Sequence, residues 1–345
     1  MYEAKLYEKL EDAKVKCHLC AHRCTIADGK RGICQVRENR GGVLYSLVYG
    51  LSISQAIDPV EKKPLFHFYP GSKAFSFATV GCNFRCAFCQ NWQISQMLRE
   101  GGQIDGHEAS PDYLASAAHH YGCQSIAYTY TEPTIFFEYA YDTAVKATQW
   151  NIKNIYVTNG YMTDEMLDAF GPYLHAANVD LKAFSDDFYR KTCGARLQPV
   201  LDAIKSMKKR GIWVEITTLL VPGMNDSEQE LRDLAEFIVQ EVGVDTPWHV
   251  SRFHPEYKLL DRDATPPSTL RRAREIGLAA GLRYVYEGNV PGSAGENTYC
   301  YNCHNLLIRR YGFGVLENLI LPDSKCPYCE VTIDGVGLAR VQGSS

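Results

Sequence analysis

The sequence predicts an α/β fold: a partial (β/α)6-type TIM barrel, with a small appendage on each side of it that carries metal-ligand cysteines. Three observations lead there. From residue 74 to about 290, short apolar, β-branched or aromatic runs alternate with helix-patterned segments, as expected for parallel strands covered by helices. Six or seven such units are too few to close an eight-stranded barrel. Thirteen cysteines are present, and all but Cys123 and Cys193 fall into three tight groups, before, at the start of and after the alternating stretch. The chain therefore divides into 1–73, an N-terminal helix, cysteine-rich loop and short strands; 74–292, the barrel; and 293–345, a cysteine-bearing C-terminal module.

Composition narrows the function classes. A hydrophobic content of 46% and a charged content of 22% are ordinary for a globular chain of 345 residues. A net charge of −4 gives no electrostatic case for nucleic acid or an anionic membrane as partner. No apolar run of about 18 residues occurs, and Met1-Tyr2-Glu3-Ala4-Lys5 lacks a signal-peptide core. The expected location is the cytoplasm, where clustered cysteines point to metals rather than disulfides.

Taken in order, Tyr2, Leu6, Leu10 and Ala13 stand at helical spacing, which predicts a short amphipathic helix over 2–16. Cys17-x2-Cys20-x3-Cys24-x9-Cys34 follows in a glycine-rich loop. Four thiolates in that span suit one tetrahedral zinc or an auxiliary iron–sulfur centre, with His18 and His22 as stand-in ligands. Zinc is favoured because a structural zinc orders a segment too small for its own core; free thiols lining a neighbouring pocket are the other reading. Residues 43–57 read as one or two strands, and Lys62, Lys63 and His67 as a solvated charge run that could instead face the active site.

Strands are expected at 74–80, 125–131, 154–158, 178–184, 213–221 and 248–253, with a weaker one at 283–288. Helices are expected at 111–121, 134–149, 163–170, 197–209, 226–241 and 268–280. Pro111, Thr163 and Asp226-Ser227-x2-Glu230 mark helix starts, and Gly122, Gly211 and Gly281 mark ends. Chemistry in such folds collects at the C-terminal strand ends, where Cys82, Glu132, Asn159, Lys182 and His254 fall. In the last segment Cys300-x2-Cys303 and Cys326-x2-Cys329 form two knuckles for one tetrahedral metal, zinc or a single iron.

The most informative stretch is Cys82-x3-Cys86-x2-Cys89, directly after the first barrel strand. Three closely spaced thiolates can grip three irons of a cube-shaped cluster. Without a fourth cysteine nearby, one iron keeps an open position for a substrate. A zinc knuckle is disfavoured because structural zinc takes four ligands.

At these residues the chain resembles the radical S-adenosylmethionine (SAM) enzymes, and the flanking motifs look like the pyruvate formate-lyase activating enzymes. Asp58-Pro-Val-Glu-Lys-Lys-Pro64, Gly81-Cys-Asn83, Cys89-Gln-Asn-Trp92 and the two cysteine sets outside the barrel resemble the branch called AmmeMemoRadiSam system radical SAM protein. The resemblance implies a [4Fe-4S] cluster on Cys82, Cys86 and Cys89. It implies reductive cleavage of SAM to a 5′-deoxyadenosyl radical that abstracts hydrogen from a protein glycine or a small molecule. It places Phe88 near the adenine, Glu132 at the methionine amino group, Thr158 and Asn159 in a Thr-Asn-Gly match, Asp180 and Lys182 in an Asp-x-Lys match, and His254 near the ribose. The activases' paired glycines are Tyr130 and Thr131 here, and their aspartate before Thr-Asn-Gly is Val157. Implied partners are a reductant such as flavodoxin or ferredoxin and AMMECR-type and Memo-type proteins. The other reading is an iron–sulfur or zinc scaffold, or electron carrier, serving a partner.

Each carried-over residue also has an ordinary structural role open to it. Glu132 can cap the helix after Pro133, Asp180 and Lys182 can pair on one strand face, and His254 can be a core histidine. Cys193 is a candidate pocket thiol, while Cys123 reads as structural.

Overall fold

The computed structural model describes residues 1–339. Its centre is one eight-stranded sheet. An antiparallel edge strand, β1 (Ser54–Pro59), lies beside β2 (Lys73–Ala78). Parallel strands follow in sequential order: β3 (Ser125–Tyr128), β4 (Lys153–Thr158), β5 (Ala176–Asp180), β6 (Trp213–Leu220), β7 (Trp248–Arg252) and β8 (Val285–Gly288). Six helices cross between the parallel strands: α1 (Pro111–His120), α2 (Phe137–Gln149), α3 (Asp164–Phe170), α4 (Gln198–Lys209), α5 (Glu228–Phe237) and α6 (Pro267–Ala279). β1 and β8 end the ladder without pairing to each other, so the barrel is partial, as expected. The weaker strand at 283–288 is real, and the antiparallel edge strand comes from the 43–57 stretch.

Local chemistry explains the helix starts. Ser110, Thr163 and Ser227 each accept the amide N–H three residues on, from Tyr113, Met166 and Glu230. Glu230 does not close the capping box on Ser227; its carboxylate accepts the Phe184 N–H at 2.8 Å. Strand β3 stops before 131 because Tyr130 is left-handed, at φ 65°.

The expected helix over 2–16 is absent. The segment forms strands at Tyr2–Glu3, Tyr7–Lys9 and Val15–Cys17, the latter two paired as a hairpin. Leu6, Asp12 and Ala13 take φ of 55°, 57° and 53°, which no right-handed helix allows. Tertiary partners outweigh the local spacing: Tyr2 stacks on Tyr49 at 3.9 Å, and Val15 and Cys17 enter the core that the barrel itself uses.

A buried ion pair ties this segment to α2. Arg37 donates to both oxygens of Glu138 at 2.9 and 3.0 Å, and the Lys5 N–H donates to the same carboxylate at 2.7 Å. Removing one partner leaves a dry charge uncompensated. Glu138→Ala is expected to cost roughly 3–5 kcal/mol, read as a lower urea midpoint.

The 58–71 segment corrects the expected solvated run. Lys63 and His67 are buried, and of the three only Lys62 is exposed, as expected. Val60, Leu65 and Phe68 fill the lower barrel against Ala74, Ala127, Ile155 and Ala176, whose three alanines leave room for them. Lys63 and Lys62 donate to Asp58 at 2.7 and 2.9 Å, and the Tyr130 hydroxyl donates to it too. Glu215 on β6 accepts the amide N–H of Phe66 and His67 at 3.0 and 2.8 Å and pairs with His249 at 2.7 Å. The segment is therefore a plug whose charges are neutralised pairwise inside the barrel.

His67 faces the Asp334 carbonyl and the Tyr286 hydroxyl, both at 2.6 Å, with Glu215, Arg310 and His249 also near it. Burial lowers its pKa to about 4. The ordinary value is near 6.5, so between pH 6.5 and 4 the unfolded chain binds more protons than the folded one, and stability falls as pH falls through that window. The expected loss is about 3 kcal/mol. Urea midpoints across this range in His67→Gln should lack that increment.

The C-terminal module forms strands Thr298–Tyr299, Leu306–Tyr311 and Gly314–Asn318 over a small core of its own, shared with Phe66, Tyr284 and Tyr286. Among the described residues no helix is long and apolar enough to cross a membrane.

Candidate functional site

The three-cysteine loop leaves the C-terminal end of β2. Gly81 opens it at φ +95°, and a Cβ there would lie 2.7 Å from Val36 and 3.0 Å from the Cys34 carbonyl, so only glycine fits. Backbone bonds fix the loop: the Arg85 and Ala87 N–H groups donate to the Cys193 and Thr192 carbonyls at 2.8 and 3.0 Å. Arg99, which sequence reasoning missed, donates to the carbonyls of Cys82, Phe84 and Ile33 at 2.7–2.9 Å. No motif marks it, because its role is to satisfy carbonyls brought together by folding.

The sulfurs have defined neighbours. The Phe84 N–H and the Asn159 amide lie 3.4 and 3.9 Å from Cys82 Sγ, and Ser95 Oγ lies 3.1 Å from Cys89 Sγ. Burial raises the pKa of Cys82 and Cys89. That of Cys86 is raised first by a hydrogen bond with the Cys193 thiol and then by burial. Cys193, expected as a pocket thiol, is thus buried against the loop.

The remaining residues gather around this loop in different ways. Phe88 is buried beneath Lys182, whose Nζ stands 5.8 Å from the ring centroid and 3.1 Å from Asp180. Burial opposes charge on Lys182, but Asp180, Cys86 and Cys193 outweigh it and hold the ammonium protonated. Glu132 caps the turn Pro133–Phe136: its Oε1 accepts Thr134 N–H and O–H at 3.0 and 2.6 Å and Thr158 O–H at 2.7 Å, and its Oε2 accepts Asn159 N–H at 2.8 Å. Asn159 in turn donates to Asn83 Oδ1 at 2.7 Å. Glu132, Thr158, Asn159 and Asn83 therefore form one relay from β3 and β4 to the cluster loop.

His254 is exposed rather than a core residue. With Gln90, next to Cys89, it lines a cavity of about 430 Å³ that reaches Glu61 and Phe66 on the plug, Glu287 on β8, and Phe313 of the C-terminal module. In that module the four sulfurs of Cys300, Cys303, Cys326 and Cys329 lie within 4.8 Å of one another, a group able to bind a metal.

An open parallel sheet with a three-cysteine loop at the end of its first parallel strand, and a cavity beside that loop, defines a class of α/β enzymes that hold a metal cluster at the barrel mouth. Residues 77–238 match the model of the Radical SAM superfamily. The chain is 50% identical to an uncharacterized protein of Methanocaldococcus jannaschii over 97% of this chain and 99% of that one. It is 22% identical to a protein of the same organism provisionally named a glycyl-radical enzyme activating enzyme, over 60% of this chain and 78% of that one. A radical SAM methyltransferase from Sphaerobacter thermophilus shares the fold at a TM-score of 0.50 and 15% identity, covering 66% of this chain and 71% of that one. The chain carries a radical SAM domain and is an enzyme. That domain implies a [4Fe-4S] cluster, SAM, a reductant and a substrate. The residues present fit the cluster: three thiols on a loop with a fixed backbone, and hydrogen-bond donors aimed at sulfur.

Proposed function

We propose that Cys82, Cys86 and Cys89 hold three irons of the cluster and leave the fourth for SAM. Bound there, the cluster and SAM supply a 5′-deoxyadenosyl radical able to take hydrogen from a protein glycine or a small molecule. The chain's own residues set the stage. Phe88 and Lys182 offer an aromatic face and a fixed positive charge beside the loop; the lysine is a point charge suited to a carboxylate or ribose hydroxyl. Glu132 accepts three bonds on one oxygen, from Thr134 and Thr158, and one on the other, from Asn159, so in this reading it positions Asn159 and keeps an acceptor site on the second oxygen for the methionine amino group. His254 and Gln90 line the route for substrate.

The observation that carries this reading is the three-thiol loop at the C-terminal end of β2, whose next residue, Gln90, lines a cavity of about 430 Å³, a volume suited to a small molecule or a single residue of an extended segment. Cys300, Cys303, Cys326 and Cys329 would hold zinc in this reading. The sequence resemblance supports flavodoxin or ferredoxin as reductant and AMMECR-type and Memo-type proteins as partners.

The test is anaerobic reconstitution with SAM and a strong reductant. The expected products are methionine and 5′-deoxyadenosine; a verified cluster that yields neither, with no spectral change on adding SAM, would favour an electron carrier instead. Deuterium transfer between labelled candidates and 5′-deoxyadenosine then separates protein from small-molecule substrates.

A further inference from the structure

Three cysteine groups occur in this chain, and their geometry sorts them into two kinds. A single zinc draws its four thiolates together: sulfurs about 2.3 Å from one ion lie only about 3.8 Å from one another in a tetrahedron. The C-terminal set has that form, with Cys300–Cys329 and Cys303–Cys326 sulfurs each 3.6 Å apart. A cube carries each thiolate on a different iron and so keeps the sulfurs farther apart around a central space. Among the described residues, the C-terminal set alone brings three or more candidate ligand atoms all within 4.8 Å. The loop cysteines Cys82, Cys86 and Cys89, where the superfamily places its cluster, do not converge in that way, and neither do Cys17, Cys20, Cys24 and Cys34.

The N-terminal four nonetheless belong together. All of them wall one interior cavity, whose other sides include Leu19, Ile26 and Ile135. The histidines that the spacing offered as substitutes each have one ring nitrogen engaged, although His22 also lines the cavity. His22 Nε2 lies 2.9 Å from the Asn83 carbonyl, and His18 Nδ1 lies 2.9 Å from Arg23. Four separated sulfurs around one hollow, with the Arg37 side chain also at its wall, suit a cube whose irons are all thiolate-bound, and such a cube has no corner for SAM.

We propose that Cys17, Cys20, Cys24 and Cys34 hold a second iron–sulfur cube rather than zinc. It stands directly beside the first. Arg99 binds the carbonyls of Ile33 and Cys82 at 2.7 and 2.9 Å, and a Cβ on Gly81 would meet the Cys34 carbonyl, so the two cysteine loops share a wall. Cys20 and Cys24 are less buried than Cys17 and Cys34, which puts this second one-electron carrier between the first site and the surface.

The comparison with the loop cysteines rests on the proposed function, and the experiment separates the two. The full chain, reconstituted anaerobically with iron and sulfide, is expected to hold about eight irons and one zinc. With Cys82, Cys86 and Cys89 all changed to alanine it keeps about four irons. On reduction that variant still gives an electron paramagnetic resonance signal, which does not shift when SAM is added. With Cys20→Ala and Cys24→Ala instead, about four irons remain and the signal does shift. Two zincs and about four irons in the unaltered chain, with no iron in the triple variant, would overturn the proposal while leaving the radical reading intact. The metal count of the unaltered chain decides the matter even if a variant does not fold. An iron content that the triple substitution leaves unchanged would instead sink the radical reading.

Discussion

Cys86→Ala is expected to reduce 5′-deoxyadenosine formation on the order of 10³-fold or more, the scale seen when a member of an interdependent catalytic set is removed. Cys86 lies at the middle of the loop and is fully buried against Cys193 and Lys182. Two thiolates cannot fix three irons, so the loss falls on the cluster itself, before any effect on substrate. Cys193→Ala is the informative companion. Cys193 touches Cys86 from a neighbouring segment, and if the fourth iron is open to SAM, this variant keeps its iron and cleaves SAM at a rate within a few-fold of the parent. Anaerobic product quantification with parallel iron analysis reads both. A Cys193 variant that loses its iron would mean that the corner is closed by protein, and SAM activation at that iron would be untenable.

The second large effect lies in the C-terminal module. Its core is small, and the free energy of binding a structural metal, about 10–16 kcal/mol in isolated zinc modules, is largely folding free energy there. Cys326→Ala, or treatment with a strong chelator, is therefore expected to melt residues from about 298 onward at room temperature, seen as rapid proteolysis confined to that segment. The damage should reach function. Phe313 walls the cavity, Arg310 donates to the Phe66 carbonyl at 2.9 Å and lies 3.6 Å from Glu61 on the plug, and Asp334 pairs with Arg283 at 2.8 Å. Loss of the module removes one wall and leaves the buried Glu61 without its partner. Turnover of substrate should fall while SAM cleavage without substrate persists, a split that unfolding of the barrel would not give.

The parallel strands, the helix caps and the three cysteine groups were legible in the sequence because each depends on neighbours within a few residues: a hydrophobic period, a side-chain oxygen reaching an amide three positions on, thiols on one loop. The misreadings share the opposite origin. Tyr2, Leu6, Leu10 and Ala13 have helical spacing, but the partners of this segment are Tyr49, Glu138 and the barrel core, distant in sequence. Lys63 looks solvated until Asp58 and Tyr130 close around it, and His67 until Asp334 and Tyr286 do.

By itself the sequence determined that three closely spaced thiols stand at the end of a β–α barrel strand, since their spacing is set by bonded geometry. Only the tertiary structure decided how each set is arranged in space. It brought the last four sulfurs together, set the first four around one hollow, and tied Glu132 to Thr158 and Asn159 at the end of β4. Such distances across space are fixed by packing and by the satisfaction of buried polar groups, and neither can be counted along the chain.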